Sequence, residues 1–195
     1  LGEPGDERAI DLELKLIADV GIVGLPNAGK STLLSHISAA RPKIADYPFT
    51  TLSPNLGVAD LPGYRSLTVA DIPGIIEGAA DGKGLGLEFL RHIERTKVLL
   101  ILIDPTFDEP ETTLETLEAE LSQHSESFAD RPRVIAFNKA DLPDAQARYA
   151  ERGESLKDAL LVSAATGEGV EALLEALWDA VQRSKDEIVA EGPEI

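Results

Sequence analysis

The sequence predicts an α/β fold in which a mostly parallel six-stranded sheet, with one antiparallel strand, carries helices on both faces. Three observations point there. Short β-rich runs that are apolar on both faces recur along the chain, as strands of a buried parallel sheet should be. Segments with helical spacing lie between them, and that alternation builds a sheet covered on both sides by right-handed crossovers. The composition, 195 residues at 43% hydrophobic and 27% charged, suits one globular domain and argues against wholesale disorder or a fibrous fold.

Residues 1–16 come first. Gly2, Pro4 and Gly5 precede Ile10, Leu12, Leu14 and Leu16, which alternate with Asp11, Glu13 and Lys15. This is the period of a strand with one buried face, and the stretch is expected to be a junction left by a preceding domain. The domain proper is expected over residues 17–184. Its buried strands are read at 18–24, 66–71, 98–104, 133–138 and 159–164, and its helices at 31–38, 85–95, 111–124 and 170–183. Residues 55–61 turn at Pro62 and Gly63 into 65–70, a hairpin that supplies the antiparallel strand. In the last helix Val170, Leu173, Leu174, Leu177 and Val181 share one face, and Trp178 is expected to pack. Between Asp104 and Asp130 lie nine carboxylates and no Lys or Arg, expected to form a solvated helix face. Residues 185–195 read as an acidic tail.

The charge excludes several function classes. With 18 Lys plus Arg against 35 Asp plus Glu, the formal net charge is −17. Such a surface repels phosphate backbones and anionic membranes, so neither direct DNA binding nor membrane binding is expected. The longest apolar run, 98–103, is far shorter than the roughly 20 residues of a membrane-spanning helix. There is no cysteine and no basic N-terminal region leading into an apolar stretch, so the expected location is cytoplasmic. Methionine is absent even at position 1, which suggests part of a longer chain.

The chemistry concentrates in five short motifs. Gly24, Leu25, Pro26, Asn27, Ala28, Gly29, Lys30 and Ser31, with Thr32 behind them, fit G-x-x-x-x-G-K-[ST] between a strand and a helix. Glycines there let the backbone wrap a phosphate, with N–H groups and the helix N-terminus aimed at the anion. Lys30 brings a charge to the β and γ phosphates, and Ser31 a hydroxyl for Mg2+. Asp71, Ile72, Pro73 and Gly74 close another strand; the carboxylate can hold a Mg2+ water, and the Gly74 N–H can reach the γ phosphate. Thr50 and Thr51 fall where a switch loop should bring one threonine to the metal. Asn138, Lys139, Ala140 and Asp141 end a further strand. The Asp141 carboxylate can accept from the N1–H and exocyclic amine of guanine, a donor pair adenine lacks, while the Lys139 stem lies along the base plane. Ser163, Ala164 and Ala165 would complete the pocket with a backbone N–H toward guanine O6.

With these elements in order, the chain resembles translation-factor-class GTPases, and residues 71–84, DIPGIIEGAADGKG, match the signature of the Obg family position for position. GLPNAGKSTLL, YPFTTLSPNLG and FLRHIERT resemble that family too, so the likeness runs from about residue 11 to 183. It implies a P-loop NTPase of the Ras-like G-domain type. It also implies Thr51 as the Mg2+ threonine, with Phe49, Thr50, Leu52 and Ser53 in the loop around it. The activity implied is Mg2+-dependent GTP hydrolysis to GDP, with the large ribosomal subunit as partner and roles in ribosome assembly and the stringent response. Other domains of the longer protein are expected to make the ribosomal contacts, and this domain is expected to be monomeric.

Many such enzymes orient the attacking water with a Gln after D-x-x-G. Here that position is Ile75, which cannot hydrogen-bond water. Unassisted hydrolysis is then expected on the Ras-like scale of about 10⁻⁴ to 10⁻³ s⁻¹. Asn27 resembles an Asn that in some GTPases helps bind K+ beside the phosphates, and is the candidate K+ ligand. The catalytic candidates are thus Lys30, Thr51, Gly74 and Asn27. Glu77 is a weaker candidate for approaching the water, and His36, His92 and His124 show no ligand spacing. Two function classes stay open: a GTPase timer whose slow hydrolysis changes partner affinity, and a sensor of GTP, GDP or guanosine tetraphosphate in which turnover is incidental. The acidity has two readings as well, a division of labour with other domains or adaptation to a salty cytosol.

Overall fold

A computed structural model describes residues 18–40, 43–44, 55–71, 96–106, 109–124 and 131–191. The strands are β1 (Ala18–Val23), β2 (Lys43–Ile44), β3 (Asn55–Leu61), β4 (Arg65–Asp71), β5 (Thr96–Ile103), β6 (Arg133–Phe137) and β7 (Leu160–Leu161). They form one sheet in the order β2-β3-β4-β1-β5-β6-β7. The pairs β4–β1, β1–β5, β5–β6 and β6–β7 are parallel, and β3 pairs antiparallel with both β2 and β4. The expected six strands and single antiparallel member are therefore present. β2, two residues long, adds a seventh strand at the edge.

Among the described residues four α-helices cover the sheet: α1 (Lys30–Ile37), α2 (Pro110–His124), α3 (Pro143–Ala150) and α4 (Val170–Glu191). β5 explains why two layers are needed. Val98, Leu100 and Leu102 enter a cluster with Leu33 and Leu34 of α1 and Leu173 and Leu177 of α4. Leu99, Ile101 and Ile103 point the other way, onto Leu114, Leu117 and Leu121 of α2. Strand side chains alternate faces, so a strand apolar at every position is stable only between two layers. Each fully buried large side chain is worth about 1.5–3 kcal/mol against exposure, and six in a row make β5 the centre of the core.

The hairpin between β3 and β4 turns through Pro62, Gly63 and Tyr64, with Leu61 opposite Arg65. Trp178 packs against the core, and the Arg65 guanidinium lies 5.4 Å from its ring centroid while bonding both carboxylate oxygens of Glu175. Three elements differ from expectation. α3 lies in a stretch to which the sequence reading assigns no element, although Pro143 in its first turn and Asp144 beside it form a helix-start signal. α4 continues past Arg183 to Glu191, into the stretch expected as a tail. The acidic segment is not simply solvated: Glu109 pairs with Arg148, Glu118 with Arg133, and Glu111 accepts the Gly153 N–H. These bonds tie α2 to β6 and to the chain around α3. The expected strand near residues 10–16, the helix at 85–95, and Glu77 and His92 lie outside the described residues.

Candidate functional site

β4, β1, β5, β6 and β7 run parallel, so their C-terminal ends meet along one edge of the sheet, where open α/β folds place ligands. Along that edge stand, in order, Asp71, the loop 24–29, Asp104, the segment 138–141 and the segment 163–165. Four of these five are the sites expected to carry function. Strands are spaced about 4.8 Å apart, so the ends of β1 and β6 lie about 10 Å apart, enough to separate a charged end of the site from a flat one.

At the charged end the loop is held by backbone geometry. A Cβ on Gly24 would lie 2.3 Å from the Leu102 carbonyl oxygen of β5, so only glycine fits this close crossing. Gly29 has φ +94° and caps α1, and a Cβ there would come 2.2 Å from Asn138 Nδ2. Asn27 also has positive φ, 64°, and is exposed. Lys30 Nζ reaches back over the loop and donates to the carbonyls of Gly24, at 2.9 Å, and Leu25, at 3.0 Å. Its ammonium therefore sits over the loop. Ser31 Oγ donates to Asp71 Oδ2 at 2.6 Å. Asp71 is 4% exposed, and its Oδ1 is buried with no hydrogen-bond partner among the described residues. A buried carboxylate oxygen left bare is costly, by about 1–3 kcal/mol or more. A hydrated cation beside Ser31 is the kind of group that removes the cost, so the donor set fits Mg2+.

At the flat end Asn138, 2% exposed, acts as a bridge. Its Nδ2 donates to the Ala28 carbonyl at 2.8 Å, and its Oδ1 accepts the Ala164 N–H at 2.9 Å. The phosphate-type loop is thereby tied to the segment after β7. The chain then swings outward through Lys139, whose φ of 65° is left-handed, and brings Asp141 to the surface. Ser163, fully buried, donates its hydroxyl to Asp141 Oδ1 at 2.5 Å and accepts the Thr166 N–H at 3.1 Å. Of the three amides expected to offer a donor, Ser163 N–H goes to Glu168 O and Ala164 N–H to Asn138. Ala165, exposed, is the one without a partner among the described residues. The donor expected of this segment is thus narrowed to Ala165.

One participant was read otherwise in the sequence. Asp104, counted there with the solvated acidic stretch, forms an ion pair with Lys139. Its Oδ1 also accepts the Thr106 N–H at 3.0 Å and the Thr106 hydroxyl at 2.6 Å. Burial pushes the Asp104 carboxyl up, but the bonds from Lys139 and Thr106 outweigh it and hold the carboxyl below its ordinary value. The signal lay in topology: Ile103 of β5 is in register with Phe137 of β6, which places Asp104 beside the turn at 138–139. Phe49, Thr50, Thr51, Leu52, Ser53, Ile72, Pro73 and Gly74 lie outside the described residues. His36 is exposed, and among the described residues no cluster of His, Cys, Asp and Glu has metal-ligand geometry.

The model of the 50S ribosome-binding GTPase family matches residues 19–139, a span from β1 through the turn after β6. The chain belongs to this family. Within the 50S ribosome-binding GTPases, the curated relatives it resembles are named GTPase Obg. One from Chloroherpeton thalassium is 52% identical over 94% of this chain and 55% of its own length. Another from Roseiflexus castenholzii is 56% identical over 93% and 43%. The resemblance to Obg read from residues 71–84 thus extends over the whole domain. The chain spans only about half the length of these relatives. Among solved structures, Aquifex aeolicus Era bound to GDP·AlF4⁻ superposes with a TM-score of 0.62 at 23% identity, covering 84% of this chain and 56% of that one. The G domain of the T. maritima FeoB iron transporter does so at 0.61 and 23%, covering 83% and 96%. These likenesses establish a P-loop G-domain fold. Among the described residues no helix of this family member is long and apolar enough to cross a membrane.

Proposed function

We propose that this domain binds guanine nucleotides with Mg2+, hydrolyses GTP slowly to GDP and phosphate, and changes its affinity for a partner with the nucleotide held. The observation that carries this is the Asn138 bridge, which ties a lysine-topped anion loop to an outward carboxylate on the same sheet edge. The family and the GTPase names of its relatives support the same reading and do not favour a sensor in which turnover is incidental.

In this reading the loop amides, Gly24 to Ser31 with Thr32, and the Lys30 ammonium take the phosphates. Ser31 and, through water, Asp71 would hold Mg2+, joined by Thr51 from the first switch, with Phe49, Thr50, Leu52 and Ser53 around it. When bound, the ion neutralises charge on the β and γ oxygens. Ile72, Pro73 and Gly74 would carry the second switch toward the γ phosphate. Asp141, oriented by Ser163, reads the N1–H and amine of guanine, and Ala165 N–H faces O6. Asn27 is exposed on the loop rim in a left-handed conformation, a position from which its side-chain oxygen can take a K+ ion beside the phosphates. Guanosine tetraphosphate would use the same base pocket.

The partner is the large ribosomal subunit, reached mainly through segments that the longer relatives have outside the matched region, because a domain of net charge −17 is repelled by RNA phosphates. A monomeric domain in the cytosol fits that role. The deciding test is Asp141→Asn, with binding of GDP and xanthosine diphosphate measured for both proteins. The Asn presents a donor where guanine also presents one, so GDP affinity should fall and xanthosine diphosphate affinity rise. Unchanged GDP affinity refutes the pocket.

A further inference from the structure

We propose that Asp104 is a positioning residue for the nucleotide base: it clamps the Lys139 side chain in place before binding and thereby sets guanine-nucleotide affinity. The inference rests on the guanine pocket described above and assigns a residue outside its motifs.

The geometry is specific. Lys139 leaves the sheet with φ of 65°, a left-handed conformation that is costly for a non-glycine residue and is kept where the surroundings require it. Its neighbours explain the requirement. Asn138 must point inward to Ala28 and Ala164, and Asp141 must reach Ser163 on the other side. Between these two anchors the Lys139 side chain is directed toward the end of β5, where Asp104 receives its ammonium. The Asp104 side chain is 11% exposed and that of Lys139 33%, so the carboxylate is the fixed partner and the lysine the group being held.

Asp104 is itself fixed. Its other oxygen closes the turn to Thr106 through both amide and hydroxyl, so it cannot swing with the lysine. A free lysine loses rotamer entropy over its four-carbon stem on being immobilised. A lysine already clamped loses less when a base arrives, which is how preorganisation becomes affinity. The pair also cancels charge. Lys139 then offers its alkyl stem to the base, and Asp104 adds no net repulsion toward an anionic ligand.

A double-mutant cycle tests this, with GDP as probe. Asp104→Asn keeps an oxygen for the Thr106 turn and removes the charge that holds Lys139. Affinity should fall about tenfold, the scale of one charge-assisted bond. In a Lys139→Ala background, the same Asp104→Asn change should alter affinity less than about twofold, because nothing is left to position. Thr106→Val, which removes the hydroxyl but keeps the amide bond that holds Asp104 in place, should stay within about twofold of wild type. The proposal is overturned if Asp104→Asn has no effect on wild type, if its effect persists undiminished without Lys139, or if Thr106→Val weakens binding as much. Wild-type binding of GDP against ADP keeps this separate from the pocket itself: no preference for GDP removes the guanine reading, whereas a clear preference with an additive cycle removes only the role of Asp104.

Discussion

Replacing Asn138 is the sharpest test of how the site is built. Asn138→Ala removes one donor and one acceptor at once, leaving the Ala28 carbonyl and the Ala164 N–H without partners. Both residues are enclosed, Ala28 at 0% exposure and Ala164 at 3%, so water cannot easily replace the side chain. Each orphaned buried group costs about 1–3 kcal/mol, and the two together about 2–6 kcal/mol. For a domain of this size 1 kcal/mol is about 2–4 °C of melting temperature, so the nucleotide-free protein should melt roughly 4–24 °C lower. Asn138→Asp separates bonding from shape. It keeps the oxygen that accepts the Ala164 N–H but sets a second oxygen against the Ala28 carbonyl. The charged form is disfavoured in the fold, so the folded pKa of the new carboxyl is raised. Stability is therefore retained below the unfolded value near 4 and lost as pH rises through the folded value. Calorimetry of both variants at pH 5 and pH 7 should show the Asp variant closer to wild type at the lower pH. A melting point for Asn138→Ala within 1 °C of wild type would refute the bridge as a structural tie.

Three further outcomes are expected. Gly24→Ala would place a methyl 2.3 Å from the Leu102 carbonyl oxygen; with backbone on both sides it should cost about 1–3 kcal/mol, and a wild-type thermal melt would contradict the close crossing. The Asp104 carboxyl is held below its ordinary value, so its stabilisation is present above the unfolded pKa of about 4 and is lost as pH falls through the folded one. The stability gap between wild type and Asp104→Asn, read from urea midpoints, should therefore close below pH 4, and a gap that stays constant to pH 3 would exclude the ion pair as its source. Finally, GTP turnover should be faster in KCl than in NaCl at equal ionic strength, and equal rates would remove Asn27 as a K+ ligand.

Much of the site was legible in the chain because its chemistry is local. Gly24, Gly29, Lys30 and Ser31 lie within one strand-loop-helix unit, and the chemistry proposed for them follows from their spacing. The buried strands were legible because an apolar run on both faces has few stable uses, and β5 shows the outcome. Asp104 was misread because a charge in an acidic run carries no mark of its partner, which lies 35 positions away. α3 was missed because the segment of Pro143–Ala150 buries only Ala145, too little to give an apolar period.

By itself, then, the sequence determined most of the strands and helices, the glycine-rich loop 24–31 and the segment 138–141 as site candidates, and the family resemblance, since each rests on residues adjacent in the chain. Only the tertiary structure decided how these pieces are joined. It placed Asn138 as the tie between two loops, left Ala165 as the one amide of its segment without a partner among the described residues, buried one oxygen of Asp71 without a partner among them, and turned Asp104 from a solvated charge into the ion-pair partner of Lys139. The reason is physical: each depends on which strand ends lie side by side, and strand order follows from packing two layers on one sheet, which no local spacing encodes.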